Sequence, residues 1–396
     1  MKIAVIKLGG RIANEGYGVT SFEAVSVSKM LSIGGSNQVD CFTKISDKDI
    51  PIPELNVLDI TKHYESVSKN YDALIVINGN INFYGGAETP EQLMNLHIIN
   101  NFTGGPVFYI FIDTLLPLKN VWESIKVKPW GKKYQEKDML ITRDDIIYVT
   151  MCYDTEAVYE ITKKTGINPK SISYFPFEKY PFFGERLNYI GKKTVDLIYG
   201  ANSFRNKREK KMVKYYFDMP EDISTVFYGK MKLEDFKPSL VAGKLCPKFE
   251  GPIQYKENLE KMNTAIATVN ISDTFNEGRQ LNPRVYETVL ANVVSLMDIE
   301  YDPQKRAFSD PFLQDFLYVK NQKEVVEKIK QLKNDEELMI EVLKAQYEDS
   351  YISKENLSAK FCKLINDLYL ENVKEVPTIN NIEVVDVRPL KTKALF

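Results

Sequence analysis

The sequence predicts an α/β protein made of two parallel-sheet domains that face each other across a cleft. Three observations lead there. Short apolar, β-rich runs alternate with helical patterns along most of the chain, as in a parallel sheet with crossover helices. The alternation occurs twice, on either side of a break at Pro176–Pro181 and Phe182-Phe183-Gly184 where the periodicity is lost. The chain of 396 residues, 44% hydrophobic and 27% charged, is also longer than one ordinary core organises.

The first series opens with a predicted strand at Ile3–Ile6, a turn at Gly9-Gly10, and a helix over Glu23–Leu31. Thr20 or Ser21 can cap that helix and Gly34-Gly35 end it. Further strands are predicted at Val39–Phe42, Ala73–Ile77, Val107–Ile112 and Ile146–Thr150. The second series predicts a strand over Thr194–Tyr199, a turn at Gly200 and Asn202, and a helix over Arg208–Phe217. Strands follow at Thr225–Tyr228, Ala265–Asn270 and Val293–Met297, with a helix near Val285–Ala291. One charged helical stretch runs from Gln322 to about Tyr351 and another over Lys354–Leu370. The expected division is 1–185, 190–370 and a tail at 371–396, with the C-terminal helix packing back on the first domain.

Composition excludes several classes. Met1-Lys2-Ile3-Ala4-Val5-Ile6 reads as a strand and not as a signal peptide, and no stretch is apolar enough to span a bilayer. A cytoplasmic protein without membrane contact is expected. Cys41, Cys152, Cys246 and Cys362 form no CxxC pair, and His63 and His97 have no companion at ligand spacing. A catalytic base is therefore expected to be a carboxylate. With a net charge of −2, nucleic acid can be bound only through local basic patches.

Asp113 follows the strand ending at Ile112, where acidic side chains of a parallel sheet enter the ligand cleft and can act as general bases. The plainer reading is a turn cap. Ser203, Arg205 and Arg208 follow a strand and open a helix, which makes an anion site of free N–H groups and guanidinium forks. Lys207, Lys210, Lys211 and Lys214 allow a solvated basic face instead. Arg284 and Glu287, three apart at a helix start, suit a diphosphate and a ribose diol, or simply one another. Lys128, Trp130, Lys132 and Lys133 mix charge with an aromatic ring, and Asn80 lies in a polar loop after a strand; such loops can grip duplex DNA, or Trp130 can be a buried anchor.

Taken in order, the segments resemble the DNA β-glucosyltransferases of the T-even bacteriophages. The likeness runs from Met1 to about Leu332 and is carried by Ile81-Asn82-Phe83-Tyr84-Gly85-Gly86, Phe111-Ile112-Asp113 with Leu116-Pro117, and Pro129-Trp130. It continues through Tyr174-Phe175-Pro176-Phe177-Glu178-Lys179-Tyr180, Ser203-Phe204-Arg205, Phe227-Tyr228-Gly229 and Arg284-Val285-Tyr286-Glu287. The resemblance implies two Rossmann-like domains in the glycosyltransferase B arrangement, the second holding a UDP-sugar and the first presenting acceptor DNA. It implies that Asp113 is the base and that Glu23 and Glu178 belong to the sugar and reaction pocket. Ser203, Arg205, Arg208 and Arg284 would bind the diphosphate and Glu287 the ribose; Tyr228, Gly229 and Ile253 would lie on the nucleotide's uracil side. The implied reaction is an inverting transfer of sugar to the hydroxymethyl group of 5-hydroxymethylcytosine in double-stranded DNA, with the base flipped out. It would be performed by a monomer in the infected host's cytoplasm, with Mg²⁺ or another divalent ion as helper. Leu115 stands where the family has an arginine, Pro252 where it has a lysine, and Asn202 is an insertion. The donor is thus expected to be UDP-glucose or, as a variant, UDP-arabinose; a UDP-sugar transferase with a non-DNA acceptor is the alternative.

Overall fold

The computed structural model describes residues 1–7, 22–35, 37–43, 55–67, 70–78, 97–111, 143–164, 169–179, 186–200, 208–253, 257–272, 277–350 and 354–373. The first group of strands is β1 (Lys2–Lys7), β2 (Gln38–Thr43), β3 (Asn56–Asp59), β4 (Ala73–Asn78), β5 (Val107–Phe111), β6 (Ile147–Thr150) and β7 (Ser171–Tyr174). All their pairings are parallel, in the spatial order β3-β2-β1-β4-β5-β6-β7. Helices α1 (Phe22–Ile33), α2 (Ile60–Val67) and α3 (Thr155–Lys164) accompany them. The central strands are uninterrupted apolar runs because helices cover both faces: every residue of β5 and of β6 is buried.

The second group repeats the plan. Strands β8 (Val195–Gly200), β9 (Thr225–Tyr228), β10 (Lys248–Glu250), β11 (Ala265–Asn270), β12 (Val294–Asp298) and β13 (Tyr318–Val319) pair in parallel in the order β10-β9-β8-β11-β12-β13. Its helices are α4 (Glu209–Tyr216), α5 (Pro238–Val241), α6 (Asn258–Asn263), α7 (Arg284–Leu290), α8 (Pro311–Phe316), α9 (Gln322–Asn334) and α10 (Glu336–Ser350). A final helix, α11 (Lys354–Val373), packs on α1. Its Leu357, Phe361, Cys362, Ile365 and Leu368 are buried in one cluster with Val27, Met30 and Leu31 of α1 and with β1 and β4.

Two differences from the sequence reading have clear causes. The single helical stretch expected over 322–351 is two helices, because Asp335 leaves helical geometry (φ −135°, ψ 94°) and its Oδ1 accepts the Leu338 amide at 2.9 Å. An aspartate that caps a new helix stops the old one. The edge strands β3, β7, β10 and β13 were not predicted, since they are two to four residues long and mostly half-exposed or polar. Among the described residues the four cysteines are free thiols, and no helix is long and apolar enough to cross a membrane.

Candidate active site

In each sheet the strand order reverses direction at one place, between β1 and β4 and again between β8 and β11. In parallel sheets the connections leaving two such strands depart to opposite sides, so their carboxyl ends frame a crevice for a ligand. Of the described candidates, Arg284, Glu287 and Tyr228 lie by Gly200 at the end of β8, beside the second of these points.

At the second crevice, β8 ends in Gly200, whose carbonyl accepts a hydrogen bond from Arg284 Nη1 at 2.5 Å. Arg284 opens α7, which places a cation beside the first turn of a helix and over the Tyr199 ring, 5.9 Å from its centroid. Glu287, one turn on, is 7% exposed and has no side-chain hydrogen bond among the described residues. Burial pushes its carboxyl up from the ordinary range, opposed by the Arg284 charge. A carboxylate on a mostly buried side chain, with no donor among the described residues, suits a ligand that brings its own hydroxyls. Arg284 and Glu287 are thus electrostatic neighbours, but Arg284 donates its hydrogen bond to the backbone of β8.

Tyr228 ends β9 and lies against Gly200 so closely that a Cβ on Gly200 would stand 2.3 Å from the phenol ring carbon. Its hydroxyl donates to Asn258 Oδ1 at 2.7 Å, which fixes the ring. Gly229 follows with φ 120°, a backbone state that favours glycine, and its amide donates to the Gly251 carbonyl at 3.2 Å. Ile253 is partly buried against the cluster that holds Tyr228. Arg208 immediately precedes α4, and its Nε is buried without a hydrogen-bond partner. The neighbouring Lys211 is no solvated lysine: its Nζ lies 2.5 Å from Asp298 Oδ2, 2.5 Å from Glu277 Oε1 and 3.3 Å from Glu300 Oε2. That buried cluster ties the first turns of α4 to the ends of the central strands, a role that the run of lysines concealed.

On the first sheet, Glu23 sits in the first turn of α1 and pairs with Lys7, the last residue of β1, at 2.5 Å. Glu178 lies in a short 3-10 turn (Phe177–Lys179) after β7, only 2% exposed. Its Oε1 accepts the Tyr174 hydroxyl at 2.9 Å, and its Oε2 is buried with no partner. Burial pushes this carboxyl up to about 7, against the Tyr174 hydrogen bond and the Lys179 and Arg306 charges. The turn packs on α7, so the acid of one domain abuts the helix that carries Arg284 in the other.

Asp113, Ser203, Arg205, Asn80, Lys128, Trp130, Lys132 and Lys133 lie outside the described residues. Asp113 is two residues beyond β5, and Ser203 and Arg205 fall between β8 and α4. Among the described residues no group of three or more His, Cys, Asp or Glu side chains is placed to hold a metal ion. Sequence reading missed the Gly200 carbonyl, Asn258, the hydrogen bond from Tyr174 to Glu178 and the Lys211 cluster. Gly200 left a signal as a glycine at a strand end, and Tyr174 stood in a segment that carries the family likeness.

Comparison with known proteins finds relatives in both sequence and structure. Residues 1–181 match the family model described as Bacteriophage T4 beta-glucosyltransferase. The chain is 30% identical over 351 residues to the DNA beta-glucosyltransferase of Enterobacteria phage T4, covering 88% of this chain and 94% of that one. The crystal structure of the T4 phage enzyme with UDP and Mn²⁺ superposes with a TM-score of 0.73 at 28% identity, over 93% of this chain and 99% of that one. The same enzyme with its UDP-glucose substrate gives 0.73 at 26% identity over the same shares. The fold is therefore two Rossmann-like domains in the glycosyltransferase B arrangement. With likeness in sequence and structure sustained over nearly the whole of both chains, this protein belongs to the T4 beta-glucosyltransferase family.

Proposed function

We propose that this protein transfers a sugar, with inversion, from a UDP donor to the hydroxymethyl oxygen of 5-hydroxymethylcytosine in double-stranded DNA, marking phage DNA against nucleases. One observation carries the reading most directly: Arg284, the Gly200 carbonyl, the unpaired Glu287 and Tyr228 meet at the crevice of the second sheet, in a family whose T4 member is a DNA glucosyltransferase. Arg284, Arg208, Arg205 and Ser203 hold the diphosphate and stabilise the charge that grows on it as the sugar leaves. Glu287 accepts the ribose hydroxyls, and Tyr228, Gly229 and Ile253 flank the uracil. Glu178 and Glu23 border the sugar, while Asp113 takes the acceptor proton so that the oxygen attacks the anomeric carbon opposite UDP. The cytosine is flipped from the duplex to reach the cleft, and Asn80, Lys128, Trp130, Lys132 and Lys133 hold the DNA. The enzyme acts as a monomer in the host cytoplasm, with UDP-glucose as the proposed donor.

One experiment tests the reading. Hydroxymethylcytosine DNA and plain DNA are incubated with UDP-glucose, UDP-arabinose and other UDP-sugars, and the digested nucleosides are weighed. A hexose gain on the hydroxymethylated base alone is expected, slowed by roughly 10²–10⁴-fold in the Asp113→Asn variant under single turnover. A pentose gain would replace glucose by arabinose as donor. No gain with any donor would overturn the DNA acceptor.

A further inference from the structure

The nucleotide-binding residues stand on the second sheet and Glu178 on the first, so transfer needs the two domains in register. The described part of the chain between them, residues 186–194, is hydrogen-bonded to the second domain. Arg186 Nε donates to Asn292 Oδ1 at 2.8 Å, and Asn292 Nδ2 donates to the Leu187 and Tyr189 carbonyls at 2.8 Å. Lys193 Nζ donates to the Asn263 and Asn292 carbonyls, also at 2.8 Å. These bonds secure that segment to the second domain; the packing of α11 on α1 and the contacts across the seam itself bear on how the first domain is seated.

Tyr153, which follows β6, makes the most direct of them. Its amide donates to the Arg279 carbonyl at 3.2 Å, and the Arg306 guanidinium lies over its ring, 3.7 Å from the centroid. The Tyr153 hydroxyl is buried without a partner. Arg306 is held out to the seam by a built loop. Fully buried Asp302 accepts the Arg306 and Ala307 amides at 2.9 Å and the Tyr318 hydroxyl at 2.5 Å. Lys305 takes the left-handed conformation (φ 52°) with its Nζ on the Gln314 carbonyl at 2.8 Å, and Arg306 Nε donates to Gln304 Oε1 at 2.7 Å. Arg306 stays solvent-exposed on its outer side. A preorganised cation stacked on the other domain's ring, and open to water, is a contact that can part and re-form. Glu178 lies in the same seam: Tyr153, Tyr174, Tyr286 and Tyr301 all feel its charge, and it feels that of Arg306.

We propose that Arg306 and Tyr153 form a clasp, a positioning pair from opposite domains that seats Glu178 against the second domain and so sets the rate of transfer without touching the donor. This rests on the proposed function, in which both domains contribute to one reaction. Arg306→Ala and Tyr153→Leu should each lower kcat by roughly two- to fivefold, the scale of an exposed cation–π contact, with the UDP dissociation constant within twofold of wild type. Tyr153→Phe, which keeps the ring, should restore the rate. The double variant should be no slower than the slower single one, because both remove the same contact. Small-angle scattering should show both singles with a larger radius of gyration than wild type, a readout independent of activity. Additive losses in the double variant, a rate lost equally in Tyr153→Phe, or unchanged kcat and radius in the singles would each overturn the clasp. If wild type itself transfers no sugar, the proposed function falls, and the scattering comparison still decides the clasp.

Discussion

A single carboxyl shows how burial writes chemistry into this chain. Glu178 has one oxygen on Tyr174 and one without a partner, in surroundings that raise its carboxyl from 4.5 to about 7. A raised folded-state value means that the folded protein holds the proton more tightly than the unfolded chain does. The associated stability is fully present below about pH 4.5 and is lost as pH rises through about 7. Glu178→Gln, which keeps the Tyr174 hydrogen bond, should therefore stabilise the protein at pH 8 by about 3 kcal/mol, and by under about 1 kcal/mol at pH 5. Thermal melting at the two pH values checks this; an equal shift at both would mean that the charge is relieved by other groups. Residues of this kind were legible in the sequence as types and positions only. The Tyr174–Phe177–Glu178 segment stood out by its likeness to a family, yet the orphan oxygen exists only once β7 and α7 are brought together.

At the scale of elements, the central strands and the helices next to them were readable because continuous apolar runs and strand-end glycines are local signals. The ends of those elements were not, since they are fixed by contacts between segments distant in sequence. The junction of β8, β9 and α7 is the clearest case. Gly200 was visible as a turn, but not the Tyr228 ring that occupies the space where its side chain would be, nor the Arg284 hydrogen bond to its carbonyl. Because Asn258 pins the Tyr228 hydroxyl, the ring has little freedom to yield. Gly200→Ala should cost about 1–3 kcal/mol of stability by overpacking and weaken UDP binding about tenfold or more by displacing Arg284. Calorimetry with UDP and thermal melting measure the two effects; an unaltered UDP affinity would move the nucleotide away from this junction.

Over the whole molecule, the organisation into two sheets could be read from the repeated strand–helix alternation, and the C-terminal helix was expected on the first domain; its seat against α1 joins segments more than three hundred residues apart, with Cys362 Sγ contacting the Met30 carbonyl across 332 positions. Ending the chain after Ser350 would remove Leu357, Phe361, Cys362, Ile365 and Leu368 from the first domain's core. At about 1.5–3 kcal/mol for each large apolar side chain buried, the loss exceeds the ~5–15 kcal/mol by which a typical domain is stable, or nearly so. The truncated chain should lose the first domain's unfolding transition in scanning calorimetry while the second still melts and binds UDP; two intact transitions would show α11 to be dispensable. The same arrangement governs the order of events at the ribosome. The second sheet and its helices are contiguous in sequence and can complete themselves as they emerge, but α1 leaves the ribosome early and its partner α11 follows more than three hundred residues later. At about 5–20 residues per second, the nascent first domain waits tens of seconds with that face of α1 uncovered. Fragments from interrupted translation would carry a finished second half and an unfinished first half, so only chains translated through α11 could join the two in transfer.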